Sequence, residues 1–288
     1  MITATDTDTG QVIHMNSQFF GMNTTDRNEK KQTALITGAS SGIGYELACV
    51  FASHNYNLVL VDRVGEKLTE IAHSFYEKFG IFVKPIVKDL SIPKSSEEIF
   101  LELQQASIEI DVLVNNAGFG MYGLFSETNL SVELEMLQVN MVSLTHLTKL
   151  FLKEMLKQGK GKILNVASTA AFQPGPLMAV YFATKAYVLS FSEAIANELE
   201  GTGVTVTVLC PGPTESGFHK RTGMADSKLI KSKKMMDAGT VAKIGFEGLM
   251  ANKTVVIPGI KNKILTKAVR LMSRKQVTKI VRSMQEVK

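Results

Sequence analysis

No apolar run in this 288-residue chain approaches the roughly eighteen residues that a membrane-crossing helix needs, so no span is expected. The N-terminus also lacks the marks of an export signal. Met1 to Lys30 is polar, carries Asp6 and Asp8 where a basic region would stand, and has no continuous apolar core, so neither a secretory nor a transit peptide is expected. The segment reads as a disordered extension over residues 1–30. Cysteine is scarce: Cys49 and Cys210 lie far apart in apolar surroundings, without a Cys-Xaa-Xaa-Cys pair or a cluster with the five histidines. Both are expected to be reduced core residues of a cytoplasmic protein without a metal site. Net positive charge is confined to one segment. Pro258 to Lys288 holds nine basic residues and a single acid, Glu286, which leaves this tail at +8 of a total of +5 and the remainder at −3. A general nucleic-acid-binding surface is therefore not expected.

Within what is present, Thr33 to Thr37 reads as a buried strand, and the glycine-rich turn from Gly38 through Ser40, Ser41, Gly42, Ile43 and Gly44 leads directly into a helical pattern over Tyr45 to His54. Strand, glycine loop and helix together form a phosphate cradle, because glycines let backbone approach a pyrophosphate and the helix N-terminus favours its charge. The spacing is Gly-Xaa-Xaa-Xaa-Gly-Xaa-Gly, which differs from the commoner dinucleotide fingerprint. Asp62 closes the next apolar run, Leu58 to Val61, twenty residues after Gly42. A carboxylate there can accept bonds from both ribose hydroxyls and repels a 2′-phosphate. Arg63 next to it could instead pair with such a phosphate, but Ser41 offers no second cation.

Further apolar runs at Phe82 to Val87, Val112 to Val114, Ile163 to Val166, Val204 to Leu209 and Thr254 to Ile257 bring the β-runs to seven. Helical patterns separate them at Ser95 to Gln105, Val132 to Gln158, Tyr181 to Glu200 and near Thr240 to Met250. This alternation predicts an α/β fold with a doubly wound parallel sheet of about seven strands, one catalytic domain over residues 31–257 and a basic tail over 258–288. Ligands bind such sheets outside the carboxyl ends of the strands. The glycine loop, Asp62, Asp89, Asn115 and Ser168 all fall at such ends.

Ser168, Tyr181 and Lys185 add proton chemistry to that address. Tyr181 and Lys185 are four residues apart at the start of a helical pattern, so their side chains share a face. Ser168 ends the preceding strand, and the Pro174-Gly175-Pro176 turn folds the chain back toward it. A free phenol titrates near ~10, and bringing it to about 7 takes roughly 4 kcal/mol. A cation about 4 Å away at an effective dielectric of ~20 supplies that order of energy, and Lys185 is expected to be this cation.

With these residues in hand, the sequence resembles the short-chain dehydrogenase/reductase family over about Lys31 to Pro258. The motifs, in family order, are Thr37 to Gly44, Asn115-Asn116-Ala117-Gly118, Asn140, Ser168, Tyr181 with Lys185, and Pro211-Gly212. Phe119-Gly120 and Cys210-Pro-Gly-Pro-Thr214 are similar to a bacterial subgroup. The resemblance implies a Rossmann-like fold and hydride transfer between a nicotinamide dinucleotide and a carbonyl or alcohol. It implies Tyr181 as general acid/base, Ser168 as hydrogen-bond partner of the substrate oxygen and Lys185 as modulator of the phenol and partner of the nicotinamide ribose. Asn140 would hold a water that connects Lys185 to solvent. Asp89 and Leu90 would flank the adenine, Asn115, Ala117 and Gly118 would border the adenosine, and Thr214 with Ser216 would meet the carboxamide beside Pro211. Asp62-Arg63 departs from the small residue and Arg of that subgroup, which turns the expected cofactor from NADP to NAD.

The chain from Pro213 to Asp237, with Lys228, Lys231, Lys233 and Lys234, is expected to be a loop over the substrate. Phe119, Met121, Tyr122, Phe172, Met178 and Phe218 suggest a small apolar carbonyl or alcohol as substrate. The resemblance also implies a homodimer or homotetramer. Other readings are a dinucleotide-binding regulator without turnover and an epimerase or dehydratase of the same superfamily. The tail reads as two short amphipathic helices meeting near Ser273. Their apolar faces either pack on protein, the preferred reading, or meet an anionic membrane as a peripheral contact.

Overall fold

The computed structural model describes residues 2–5, 12–15, 31–218, 222 and 235–286. The strands that carry the domain are β3 (Thr33–Thr37), β4 (Asn57–Asp62), β5 (Val83–Val87), β6 (Val112–Asn115), β7 (Gly161–Val166), β8 (Val204–Leu209) and β11 (Val255–Val256). They form one parallel seven-stranded sheet in the order β11-β8-β7-β6-β3-β4-β5, the doubly wound, Rossmann-like fold expected. Pro85 sits in the edge strand β5, where a missing N–H breaks no ladder between two neighbours.

The strands read as continuous apolar runs because both sheet faces are covered. Ala34, Ile36, Leu58 and Leu60 pack on one side against Leu47, Phe51, Phe75 and Phe246. These come from α1 (Gly42–Ser53), α2 (Gly65–Phe79) and α7 (Ala238–Met250). Leu35, Val59, Leu113 and Ile163 pack on the other side against Ile99, Leu103, Leu147 and Phe151. Those belong to α3 (Ser95–Gln105) and α5 (Leu144–Gln158), and α6 (Ala179–Glu198) completes that layer through Ile195.

Two helical features depart from the sequence expectation. α2 lies in a stretch that the alternation left unassigned, although Leu68, Ile71, Ala72 and Phe75 make a buried stripe and Gly80 closes the helix at φ 60°. The single helix expected over Val132 to Gln158 is α4 (Leu130–Leu137), a π-turn over Gln138–Ser143 and α5. The wider turn falls on Asn140.

Within the N-terminal extension, β1 (Ile2–Thr5) and β2 (Val12–Met15) pair as an antiparallel ladder, where disorder was expected. Short strands β9 (Thr214–Glu215) and β10 (Met236–Asp237) pair in parallel and bracket the expected substrate loop. Lys228, Lys231, Lys233 and Lys234 lie outside the described residues. The tail consists of α8 (Ile260–Ala268), a 3-10 turn (Val269–Leu271) and α9 (Arg274–Gln285), with Ser273 and Gln276 forming a capping box on α9. Among the described residues no helix is long and apolar enough to cross a membrane, and no group of His, Cys, Asp and Glu could hold a metal ion.

Candidate active site

The chain passes from β3 outward to β4 and β5 and then returns to β6 on the other side of β3, so the carboxyl ends of β3 and β6 diverge around a crevice. Thr37 ties these two ends together. Its hydroxyl donates to the Val114 carbonyl at 3.3 Å and accepts from the backbone N–H groups of Asn116 and Ala117, each at 3.0 Å. The Asn116 side chain donates to the carbonyls of Thr37 and Gly38 at 2.9 and 3.2 Å. Gly38 is required here: its φ is +67°, and a Cβ would stand 2.9 Å from Ala117 Cα.

A cavity of about 590 Å³ opens along these strand ends. Most of the expected site residues line it: Gly38, Ser40, Ser41, Gly42 and Ile43, then Asp62, Arg63, Asp89 and Leu90, then Ala117, Gly118, Ser168, Tyr181, Lys185, Pro211, Thr214 and Ser216. Gly44, Asn115 and Asn140 stand behind its wall. Gly44 packs on the Gly38 carbonyl. The Asn115 side chain turns into the sheet, donating to Thr148 Oγ1 at 3.0 Å and Asn165 Oδ1 at 2.9 Å, and Asn116 takes the lining position that its neighbour was expected to hold. In the motif both asparagines look equivalent, and strand register decides between them: Asn115 is the last residue of β6, paired with Asn165.

The cradle fits a dinucleotide. α1 has no acid in its first turn, and its N-cap, Ser41, makes no side-chain cap bond, so its leading N–H groups are left for an anion at the crevice. Asp62 is held by backbone donors, Ser40 N–H at 3.0 Å to Oδ2 and Val64 N–H at 3.2 Å to Oδ1. Across from it, burial raises the Asp89 carboxyl pKa, but the Ser91 donors and the Arg63 guanidinium outweigh burial and leave it below the usual range.

At the other end stand Ser168, Tyr181 and Lys185. Tyr181 and Lys185 lie on one face of α6 and are 9 % and 5 % exposed. Burial pushes the Tyr181 phenol up to about 12, partly offset by its hydrogen bond with the Ser168 hydroxyl. Burial pushes the Lys185 amine down to about 8, against a smaller opposing effect of the Cys210 thiol. The expected lowering of the phenol by a close ammonium is thus corrected. Lys185 Nζ donates to the Val166 carbonyl at 2.9 Å and stands 5.8 Å from the Tyr181 ring centroid, so desolvation dominates both groups. Ser168 is itself fixed: its Oγ accepts from Ala170 N–H at 3.1 Å and donates to the Pro211 carbonyl at 3.4 Å.

Asn140 is positioned to brace this corner. Its Oδ1 accepts from Phe119 N–H at 3.1 Å, and its Nδ2 donates to the Phe119 carbonyl at 2.9 Å and to Thr184 Oγ1 at 3.1 Å. Oδ1 and Lys185 Nζ also meet at Gly118, where a Cβ would stand 3.0 Å from the first and 3.4 Å from the second. Of the expected apolar lining, Phe119 and Phe218 reach the cavity. Met121, Tyr122 and Met178 pack in the cluster around Tyr181. Phe172 instead packs with Val188 and Leu189, away from it. The sequence reading missed Val132, Glu135 and Val139 of the helix before and at the π-turn, which also line the cavity. Their helical spacing was visible, but nothing in it marked which face met the crevice.

Comparison with known proteins agrees with this geometry. Residues 32–226 match the family model described as short chain dehydrogenase. The mouse (Mus musculus) 17-beta-hydroxysteroid dehydrogenase type 3 is 34% identical over 218 residues, which cover 72% of this chain and 70% of that protein. A short-chain dehydrogenase from Sphingobium yanoikuyae, solved in complex with NADPH, is 29% identical with a TM-score of 0.75, covering 83% of this chain and 94% of that one. A short chain dehydrogenase/reductase from Burkholderia phymatum, solved in complex with NAD, is 25% identical with a TM-score of 0.75, covering 84% of this chain and 92% of that one.

Proposed function

The chain belongs to the short-chain dehydrogenase family and is an oxidoreductase dependent on a nicotinamide dinucleotide; from that premise we propose that it interconverts a small apolar ketone and its alcohol, with Tyr181 as the proton-transferring group and NAD as the preferred cofactor. The bound dinucleotide supplies or accepts the hydride. The residues suited to hold it are the glycine loop, the α1 N-terminus and Asp62 on the adenosine side, and Thr214, Ser216 and Lys185 on the nicotinamide side.

The observation that carries the proposal is the buried Ser168–Tyr181 pair at the same crevice as the uncapped helix N-terminus. A phenol pushed up to about 12 holds its proton at neutral pH, the form required to protonate a carbonyl oxygen as it is reduced. Ser168 orients that oxygen: the bond it accepts from Ala170 N–H holds its Oγ in place, and its single O–H turns from the long 3.4 Å contact with the Pro211 carbonyl to the substrate. Asn140 positions the Phe119 segment against α6, and the water expected between Lys185 and solvent belongs to the same proposal. A dinucleotide-binding regulator would gain nothing from burying an amine and a phenol, each at a desolvation cost.

Asp62 supports NAD because its carboxylate stands in the cavity, held at the β4 end, while Arg63 sits close enough to Asp89 to lower that carboxyl. Phe119 and Phe218 in the lining, with Met178 behind them, support the apolar substrate. The exposed Leu130 and Leu134 on α4 support assembly as a homodimer or homotetramer. The test is to assay purified protein with NADH and NADPH against a panel of ketones and sugars, following the absorbance of the reduced cofactor. Turnover restricted to polar sugars, or absent throughout, would refute the proposal.

A further inference from the structure

The two tail helices have opposite characters. α9 turns Val277 and Val281 inward, 4 % and 5 % exposed, onto the cluster of Met136, Met178, Tyr181 and Phe182. For α9 the packing expectation holds. α8 does the reverse. The side chain it buries fully is polar: Thr266 donates to the Asn262 carbonyl at 3.0 Å, the Asn262 amide donates to the Pro258 carbonyl at 2.8 Å, and only Val269, in the turn that follows, packs on the Met136 cluster. Its apolar residues face outward, with Ile260, Ile264 and Leu265 exposed by 76%, 61% and 51%, and Leu271 in the following turn by 90%. A helix that docks through polar side chains and presents its apolar ones to the outside is not stabilised by that outer face, so the face calls for a cover.

We propose that α8 and its 3-10 turn form a docking face for the surface of an anionic lipid bilayer. Between Ile260 and Lys275 the chain carries Lys261, Lys263, Lys267, Arg270, Arg274 and Lys275 and no acid. Among the described residues none of the six has an ion-pair partner. A second copy is the other candidate cover. A two-fold contact would set this patch against itself, six cations facing six, which like-charge repulsion opposes. A bilayer surface satisfies both features at once. Ile264, Leu265 and Leu271 would enter the boundary between headgroups and acyl chains, and the surrounding lysines and arginines would meet phosphates.

The location adds a consequence. The Asn262 amide packs against Gly212, which lines the catalytic cavity, so closely that a Cβ there would lie 2.6 Å from its Nδ2. The cavity wall is therefore about one helix diameter, ~10 Å, from the docking face. Docking would hold the cleft close to a lipid surface that concentrates apolar substrates. That consequence rests on the catalytic proposal, whereas docking itself does not, and the two are tested by separate readouts.

The experiment is co-sedimentation of the full chain with phosphatidylcholine vesicles, with and without phosphatidylglycerol, at low and high salt. Binding is expected to the phosphatidylglycerol vesicles alone and to weaken with salt. Each basic residue contributes roughly a fivefold change near such a surface, so K263Q/K267Q/R270Q should reduce partitioning by about a hundredfold. I264S/L271S should also release the protein from vesicles while leaving turnover of a water-soluble ketone and the thermal midpoint unchanged, because both residues are exposed. Failure of the wild type to bind, equal binding to both vesicle types, or undiminished binding by either variant would overturn the proposal. So would sedimentation equilibrium showing that I264S/L271S dissociates an oligomer, which would assign the face to a second copy.

Discussion

The ammonium of Lys185 stands 5.8 Å from the centroid of the Tyr181 ring and is directed at the Val166 carbonyl, 2.9 Å away. In this arrangement the phenol is a neutral, buried hydroxyl that the Ser168 hydroxyl polarises only in part. It suits a group that gives up its proton only when charge develops on an oxygen beside it.

Tyr181→Phe should accordingly lower turnover by about a hundredfold to ten-thousandfold, the usual range for a lost acid/base group. Dinucleotide binding should persist, because the ring that packs 5.3 Å from Phe218 remains. Steady-state rates, paired with fluorescence titration of the reduced cofactor, check both halves. Turnover within tenfold of wild type would remove Tyr181 from the proposed chemistry.

Lys185 carries a pH signature in stability. Its folded pKa, about 8, lies below the ordinary 10.5, so between these values the unfolded chain binds more protons than the folded one. Stability attributable to this group therefore rises as pH increases from 8 to 10.5, by up to about 3 kcal/mol, and is lowest where the buried amine is protonated. Denaturant unfolding of wild type and Lys185→Met across that window, without added dinucleotide, should show the rise in the wild type and its loss in the variant. Parallel pH profiles for the two would refute the assignment.

Most of the candidate site was legible because chemistry-bearing residues fell at strand ends, and a doubly wound sheet brings such ends together whatever the detailed packing. Ser168 and the glycine loop were found this way, and Tyr181 with Lys185 by their four-residue spacing on one helix face. What stayed hidden depended on register and on relative burial. Asn115 and Asn116 are neighbours in one motif, and only the pairing of β6 with β7 shows that the first bonds within the sheet and the second holds the loop. The direction of the Tyr181 shift was misjudged because spacing predicts proximity, whereas burial sets the sign of each shift. For α8 the helical wheel marked a real apolar arc but not what covers it, and the arc faces away from its own subunit.

Asp62→Ala tests the cofactor preference. Removing the carboxylate removes repulsion of a 2′-phosphate and an acceptor for ribose hydroxyls, and leaves Arg63, which lines the cavity beside it, to meet the phosphate. The variant should weaken NADH binding and narrow or reverse the NADH-to-NADPH ratio, by about tenfold or more for one charge-assisted contact. The measurement is titration of both reduced cofactors against wild type and variant. Tighter binding of NADPH than NADH by the wild type would sink the preference before the variant is made.

The last prediction concerns α9 and separates it from α8. Val277 and Val281 lie one turn apart and are nearly fully buried against the cluster that contains Tyr181. Truncating both to alanine removes four buried methyl groups and leaves space that helix and cluster can close only in part, a loss of about 2–4 kcal/mol for the pair. Their shared partners make the two losses non-additive. For a domain of this size the thermal midpoint should fall by roughly 5–15 °C. Tyr122 feels the same change, since its hydroxyl donates to the Gln285 carbonyl at 2.7 Å and ties the end of α9 to the substrate side of the cleft. A loosened α9 should therefore raise KM for a bulky ketone more than it lowers kcat, because it disturbs the wall of the pocket and not the proton-transferring groups. Scanning calorimetry and steady-state kinetics on Val277→Ala/Val281→Ala, beside the exposed pair I264S/L271S, make the comparison. Deleting Lys261 to Lys288 should reproduce the loss of stability seen for α9. An unchanged midpoint in that deletion would show that α9 contributes nothing to the core it covers.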